Sequence, residues 1–238
     1  MNDNKPPSSV MNRLSPLLPL VLLLLHGFLY NGVGKVAAAR QVDFGPMLEM
    51  PWDGWIPFVP LFVIPYTLVW FYPLGLTGYL VAARVEPRVF RSMAIALVAL
   101  LVACYALWIA FPVKVGLRLD EGALAGQGWL HDLVLFNYQG ASHWNACPSF
   151  HVAGPWFLYR AARLVAPRLP SFFFWLFVAI ALSTVLIRIH YALDIVGGLL
   201  VSELAIRGVF HPLLRPRSLP ASDSFPPPQT QLETHPPS

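Results

Sequence analysis

Charge is what this 238-residue chain has least of. Asp, Glu, Lys and Arg together make 12% of it, where soluble domains carry about a quarter. That scarcity excludes the water-facing surface of an ordinary soluble domain, and the 56% of hydrophobic residues points to lipid as the solvent. Cysteine is equally thin: Cys104 lies deep in one apolar run and Cys147 at the edge of another, which excludes a disulfide framework and reads as structural or lone thiols. The modest net charge of +4 does not point to nucleic acid. His131, Asp132 and His143 match the spacing of no compact metal-ligand set, so they read as loop or substrate-contact residues, and neither metal nor cofactor is expected. There is no internal repeat and no stretch that calls for a separate soluble domain.

What is present is a series of six apolar runs, at about 14–33, 56–82, 92–112, 148–165, 171–189 and 191–211, each near the roughly 20 residues a helix needs to cross a bilayer. The expected fold class is therefore all-α, an integral membrane bundle of about six transmembrane helices over 14–212. A short tail at 1–13 precedes it, and a Pro-rich segment at 213–238 follows that is too polar to build a core. The first run, with its basic start, "LLPLVLLLL" core and later "VAAAR", also has the form of a signal peptide with cleavage after Ala39; an uncleaved helix is the favoured reading. Basic residues set the orientation. With the N-terminus inside, eleven of the sixteen fall on the cytoplasmic side and five outside (Lys35, Arg40, Lys114, Arg118 and Arg188), so both termini are expected to be cytoplasmic. The linkers at 83–91 and 161–170 are short and join antiparallel neighbours, whereas the outer loop at 113–147 is long enough for an interfacial helix of its own.

Two polar intrusions interrupt the apolar runs. "WNACPSFHVAGPW" places Ser149 and His151 at the start of the fourth run, and "STVLIRIHYALDIVGG" places Arg188, His190 and Asp194 where the fifth run ends and the sixth begins. Ionisable groups inside membrane segments are costly and invite a functional hypothesis. Read as helix, His190 and Asp194 lie four apart on one face, and a carboxylate there orients the imidazole and raises its basicity, as a nucleophilic histidine requires. The expected topology brings Ser149, His151, Arg188, His190 and Asp194, with Lys114 and Arg118, to one membrane face. Two histidines, a carboxylate and three cations suit phosphate chemistry: fixed cations bind the anion, one His attacks and the other moves the proton.

The motifs "PSFH" and "HYALD" resemble the second and third motifs of the type 2 phosphatidic acid phosphatase superfamily, PSGH and SRxxxxxHxxxD. They are most similar to the branch containing inositol phosphorylceramide synthase, and "WDGWIPFVPLFVIPY" resembles the start of that branch's second span; the likeness covers about residues 50–205. The resemblance implies a lipid phosphatase or head-group phosphotransferase without a metal, with its active site at the extracytoplasmic face of a membrane, in this compact form a bacterial inner membrane. It implies His190 as the nucleophile that becomes a phosphohistidine, Asp194 as its orienting carboxylate and His151 as general acid and base. Ser149, Arg188, Lys114 and Arg118 would bind phosphate. The implied partners are a phosphorylated lipid and an acceptor, either water or a lipid alcohol. Three positions depart from the pattern: Phe150 stands in place of glycine, Thr184 where the wider superfamily has arginine, and "FPVKVGLR" fits the first motif KxxxxxxRP loosely.

Plainer readings exist for each residue. His151 with Ser149 can cap a helix, His190 with Asp194 can lock two spans together, His26 can be a packed polar residue, and Gly197–Gly198 can serve close helix packing. The clustering of histidines and cations on one side favours the catalytic reading. The rival from another class is a non-catalytic lipid-binding or transporter-like protein of the same fold.

Overall fold

Proline and short polar turns divide the apolar runs into helices. The computed structural model describes residues 10–215, so most of the two tails assigned above lies outside the described residues. The first run is helix α1, Leu17–Ala39. The second, expected as one span, is two helices, α2 (Val63–Leu68) and α3 (Tyr72–Ala82), and with the 3-10 turn at Pro60–Phe62 the pair is bent by 41°. Pro73 explains the break, because it has no N–H to give to the carbonyl one turn earlier. The third run is α4, Pro87–Ala110; the outer loop carries the expected extra helix, α5 (Trp129–Gly140). The last three runs are α6 (Phe150–Val165), α7 (Ser171–Leu186) and α8 (Ala192–Ala205), which runs on through a π-helical turn at Ile206–Phe210.

The described residues are all-helical apart from loops and an isolated bridge between Val113 and Asn145. Helices α1 and α4 are long and apolar enough to cross a membrane, and the bent α2–α3 pair makes a third if it counts as one span. Helices α6 and α7, with 16 residues each, are shorter than the roughly 20 residues of a full crossing, and α8 reaches that length only together with the π-helical turn and the helical residues His211–Leu214 that follow it.

Helix α6 is the hub, packed on α7, α8, α3 and α4, while α1 lies along α4. Leu97, Leu100 and Trp108 of α4 meet Val152, Phe157 and Ala161 of α6 in the main core. Glycine sets the approach of α8: a Cβ on Gly198 would stand 2.6 Å from the Ser149 carbonyl oxygen, and one on Gly197 3.1 Å from Cys147 Sγ. At the other end of this helix pair, Glu203 accepts from Trp156 Nε1 at 3.0 Å, Arg160 Nε at 2.9 Å and Arg207 Nε at 3.2 Å. The two helices are thus pinned at both ends. Their glycine-spaced end carries the polar motifs.

Candidate active site

Three helix ends converge there. Helix α7 closes with the backbone pattern of a Schellman motif: Arg188 N–H donates to the Val185 carbonyl at 3.0 Å and Ile189 N–H to the Thr184 carbonyl at 3.0 Å. His190 N–H shares the Thr184 carbonyl at 3.1 Å. The left-handed position of this motif usually holds glycine, yet here it holds Arg188, at φ +54°. Thr184 itself turns its hydroxyl back to the Ala181 carbonyl, so at this position the backbone rather than the side chain serves the site.

His190 therefore lies in the turn between α7 and α8, not within a helix as the i,i+4 spacing suggests. Asp194 reaches it from the first turn of α8: its Oδ2 accepts from Tyr191 N–H at 3.0 Å, closing a capping box, and lies 3.0 Å from His190 Nδ1. Both residues are buried, Asp194 completely. A carboxylate accepts only, so Nδ1 carries the proton and Nε2 presents its lone pair. The Ser149 hydroxyl lies 3.1 Å from that Nε2. Ser149 occupies the N-cap position of α6, but its side chain makes no cap. The Ser149 N–H donates to the Asp194 carbonyl at 3.1 Å, which ties the start of α6 to α8.

His151, the second residue of α6, stacks on Tyr66 with ring centroids 4.2 Å apart, and its own centroid is 6.0 Å from that of His190. The cations lie at different places around this pair. Arg188 donates to the Ile56 carbonyl at 3.3 Å and Arg118 to the Tyr138 and Ser142 carbonyls at 3.3 and 3.2 Å; the Nε of each is buried without a hydrogen-bond partner among the described residues. Arg118 also lies against Tyr138, 5.2 Å from its ring centroid, and beside His143 at 3.2 Å. Burial, with Arg118 and Lys114 nearby, holds the His143 imidazole below its usual range, so it stays neutral beside the guanidinium. Lys114 is exposed and carries its ammonium over Trp144, 5.8 Å from the ring centroid. The structure thus joins His190, Asp194 and Ser149 in one hydrogen-bonded chain, sets His151 opposite, and leaves Lys114 the most peripheral of the group.

Several contributing residues have no signal in the two histidine motifs. Asp53, buried in the "WDGW" segment, accepts from Ala192 N–H at 2.9 Å through Oδ1 and from Met50 N–H at 2.8 Å through Oδ2, and so holds the first residue of α8. Trp108 donates from Nε1 to the Pro148 carbonyl at 3.0 Å, fixing the loop segment before Ser149. Tyr191 receives the Gly116 N–H at 2.9 Å and so tethers the outer loop. Asp53 has two signs in the sequence: it is an acidic residue in an otherwise neutral aromatic segment, and it stands in the "WDGWIPFVPLFVIPY" stretch quoted above. Trp108 and Tyr191 look like ordinary membrane aromatics in sequence.

Other polar residues have partners of their own. His131 packs near Phe58, Asp132 accepts from Gly126 N–H, and His26 bonds the Tyr105 hydroxyl at 2.9 Å. Burial and the adjacent Asp194 push the Cys147 thiol up to about 12, so it remains protonated and unreactive. Phe150 turns its ring onto His26, with centroids 4.0 Å apart, and beside Gly154. No family model, curated protein or solved structure matches this chain.

Proposed function

We propose that this protein is a membrane lipid phosphatase or lipid head-group phosphotransferase working through a phosphohistidine. The observation that carries the reading is the buried chain Asp194–His190–Ser149 facing His151, since it presents a basic imidazole nitrogen and a second histidine whose ring centroid is 6.0 Å from the first. The resemblance of "PSFH" and "HYALD" to the phosphatase superfamily and its synthase-like branch supports the same roles.

In this mechanism His190 Nε2 attacks phosphorus while Asp194 Oδ2 holds the Nδ1 proton and stabilises the positive ring. The N–P bond forms as the P–O bond to the lipid alcohol breaks, and His151 gives its proton to the departing oxygen. His151 then takes a proton from water or from a lipid hydroxyl, whose oxygen displaces His190 from phosphorus. The Ser149 hydroxyl and the guanidiniums of Arg188 and Arg118 bind the phosphoryl oxygens as their charge builds, with Lys114 adding positive potential from the rim. Water as acceptor gives a phosphatase, a second lipid a synthase. The distribution of basic residues supports a six-span topology with this site at the extracytoplasmic face.

The test is phosphate release and lipid product analysis with purified protein and a panel of phosphorylated lipids. Wild type should turn over at least one member and form an acid-labile phosphoenzyme. His190→Ala should lose both, with turnover falling about a thousandfold or more. Full activity in that variant overturns the mechanism. Retained lipid binding with no release or transfer across the panel would instead assign the fold to a non-catalytic lipid binder.

A further inference from the structure

A cavity of about 370 Å³ opens from the two histidines and runs between α1, the α2–α3 break and α6. Its size is at the lower end of the range for small-molecule sites. The lining on α1 extends from Asn31 to Leu23 and on α6 from Phe150 to Leu158. Each stretch advances eight residues, or about 12 Å at the ~1.5 Å helical rise, so the cavity is elongated along the helices. Helices α1 and α6 present these stretches in opposite chain directions, which puts Asn31 and His151 at one end and Leu23 and Leu158 at the other.

Polarity follows the same axis. Asn31, Asn137, Tyr30 and Tyr66 surround the histidine end, whereas Leu23, Gly27, Val69, Trp70, Pro73 and Leu158 line the far part. His26, the polar residue at the deeper level, has its Nδ1 engaged by the Tyr105 hydroxyl. Helix α2 ends within this wall, at Leu68. Trp70 there lines the cavity and is also 54% exposed on the outer surface, and a Cβ on Gly27 of α1 would meet its indole at 3.5 Å.

We propose that this cavity holds one hydrocarbon chain of the phosphorylated lipid, admitted from the bilayer between Gly27 and Trp70, with Gly27 as the residue that keeps the path open. The proposal rests on the reading of the His190 site as a lipid-phosphate site, and it adds how the substrate is selected. An elongated apolar space of about 370 Å³, about eight residues of helix in length, matches the shape of a single hydrocarbon chain. The phosphate then lies at the histidines because the chain can enter only with its polar end toward Asn31 and Tyr66. Phe150, at the level where the polar lining gives way to apolar, forms the wall against which the first methylenes pack. Selection therefore acts on the chain as well as on the phosphate, and it depends on α1, the segment whose sequence resembles a signal peptide.

The experiment uses the full chain in phosphatidylcholine nanodiscs and an alkyl phosphate carrying a mid-chain diazirine, beside the matching unphosphorylated alcohol. Photolabelling of wild type should map to Leu23, Gly27, Trp70 or Leu158 and be displaced by unlabelled alkyl phosphate. Gly27→Trp should lower that labelling by at least about tenfold, the loss expected when 1.4 kcal/mol of binding is removed. Gly27→Ala, whose methyl meets Trp70 at ordinary contact distance, should keep it, and Val69→Trp fills the same space from the opposite wall if the first variant does not fold. Labels confined to the outward-facing Leu24, Phe28 and Leu204, or undiminished in both filled variants, overturn the proposal. Phosphate release measured in the same nanodiscs keeps the two ideas apart: release without cavity labelling removes the chain site alone, and cavity labelling without release or transfer removes the enzymatic reading alone.

Discussion

Arg188 occupies a backbone position that glycine would take without strain. A left-handed conformation costs a non-glycine residue about 1–2 kcal/mol, and at φ +54° Arg188 bears that cost at the end of α7, two residues before His190. The guanidinium returns one hydrogen bond to the fold, to the Ile56 carbonyl at 3.3 Å, worth about 1 kcal/mol, which at best offsets that strain. Arg188→Gly is expected to leave the thermal midpoint unchanged or raise it, while turnover of a phosphorylated lipid falls at least about tenfold through loss of a charge-assisted phosphate contact. Thermal unfolding in detergent and phosphate release, measured on the same preparation, check both halves. A variant that is destabilised and fully active would show the side chain to be structural. Ser149 makes the complementary case: a residue at a capping position that leaves the helix uncapped and faces His190 Nε2 instead. Its place before an apolar run was visible in the sequence, and its partner was not.

At the level of helices, the site depends on how closely α8 approaches the start of α6. Gly198 allows that approach, because a methyl there would meet the Ser149 carbonyl oxygen at 2.6 Å, a backbone atom that cannot swing aside. Gly198→Ala should cost about 1–3 kcal/mol of stability, as overpacking in a close interface does. It should also lower turnover, since the Ser149 N–H to Asp194 carbonyl bond and the Ser149–His190 contact both span this interface. Unfolding midpoint and turnover would fall together here, in contrast to Arg188→Gly. A Gly198→Ala protein with native activity would show that the two helices can part without moving the site. The break between α2 and α3 belongs to the same scale. Composition predicts one continuous span over 56–82, and Pro73 divides it, turning Trp70 toward α1.

For the molecule as a whole, the basic residues carry the expectation of topology. In the proposed orientation, with eleven on one side against five on the other, both termini would lie in the cytoplasm and Lys35 and Arg84 on opposite faces. Single cysteines at these two exposed positions, introduced after replacing Cys104 and Cys147, test it in intact cells. Lys35→Cys should react with a membrane-impermeant maleimide, and Arg84→Cys should react only after the membrane is opened. The reverse pattern would put the histidine site on the cytoplasmic side. Because α6 and α7 are short for full crossings, this labelling also bears on how many of the six apolar runs reach both faces.

The sequence by itself determined the helical architecture, because long continuous apolar runs with scarce charge suit helices, which satisfy their backbone polar groups within the segment. It also marked His151, His190, Asp194 and Ser149, since polar groups in apolar runs stand out against their surroundings. Tertiary structure alone decided how they meet. The His190–Asp194 contact is made from a turn through a capping carboxylate rather than along a helix face. Asp53 and Trp108 hold that arrangement from segments far away in the chain. Spacing reports only local geometry, whereas a hydrogen bond between residues 139 apart exists only once packing has fixed both ends. The elongated cavity is the extreme case: no residue lining its far part is chemically distinctive, and the space appears only because a proline breaks one helix opposite a glycine in another.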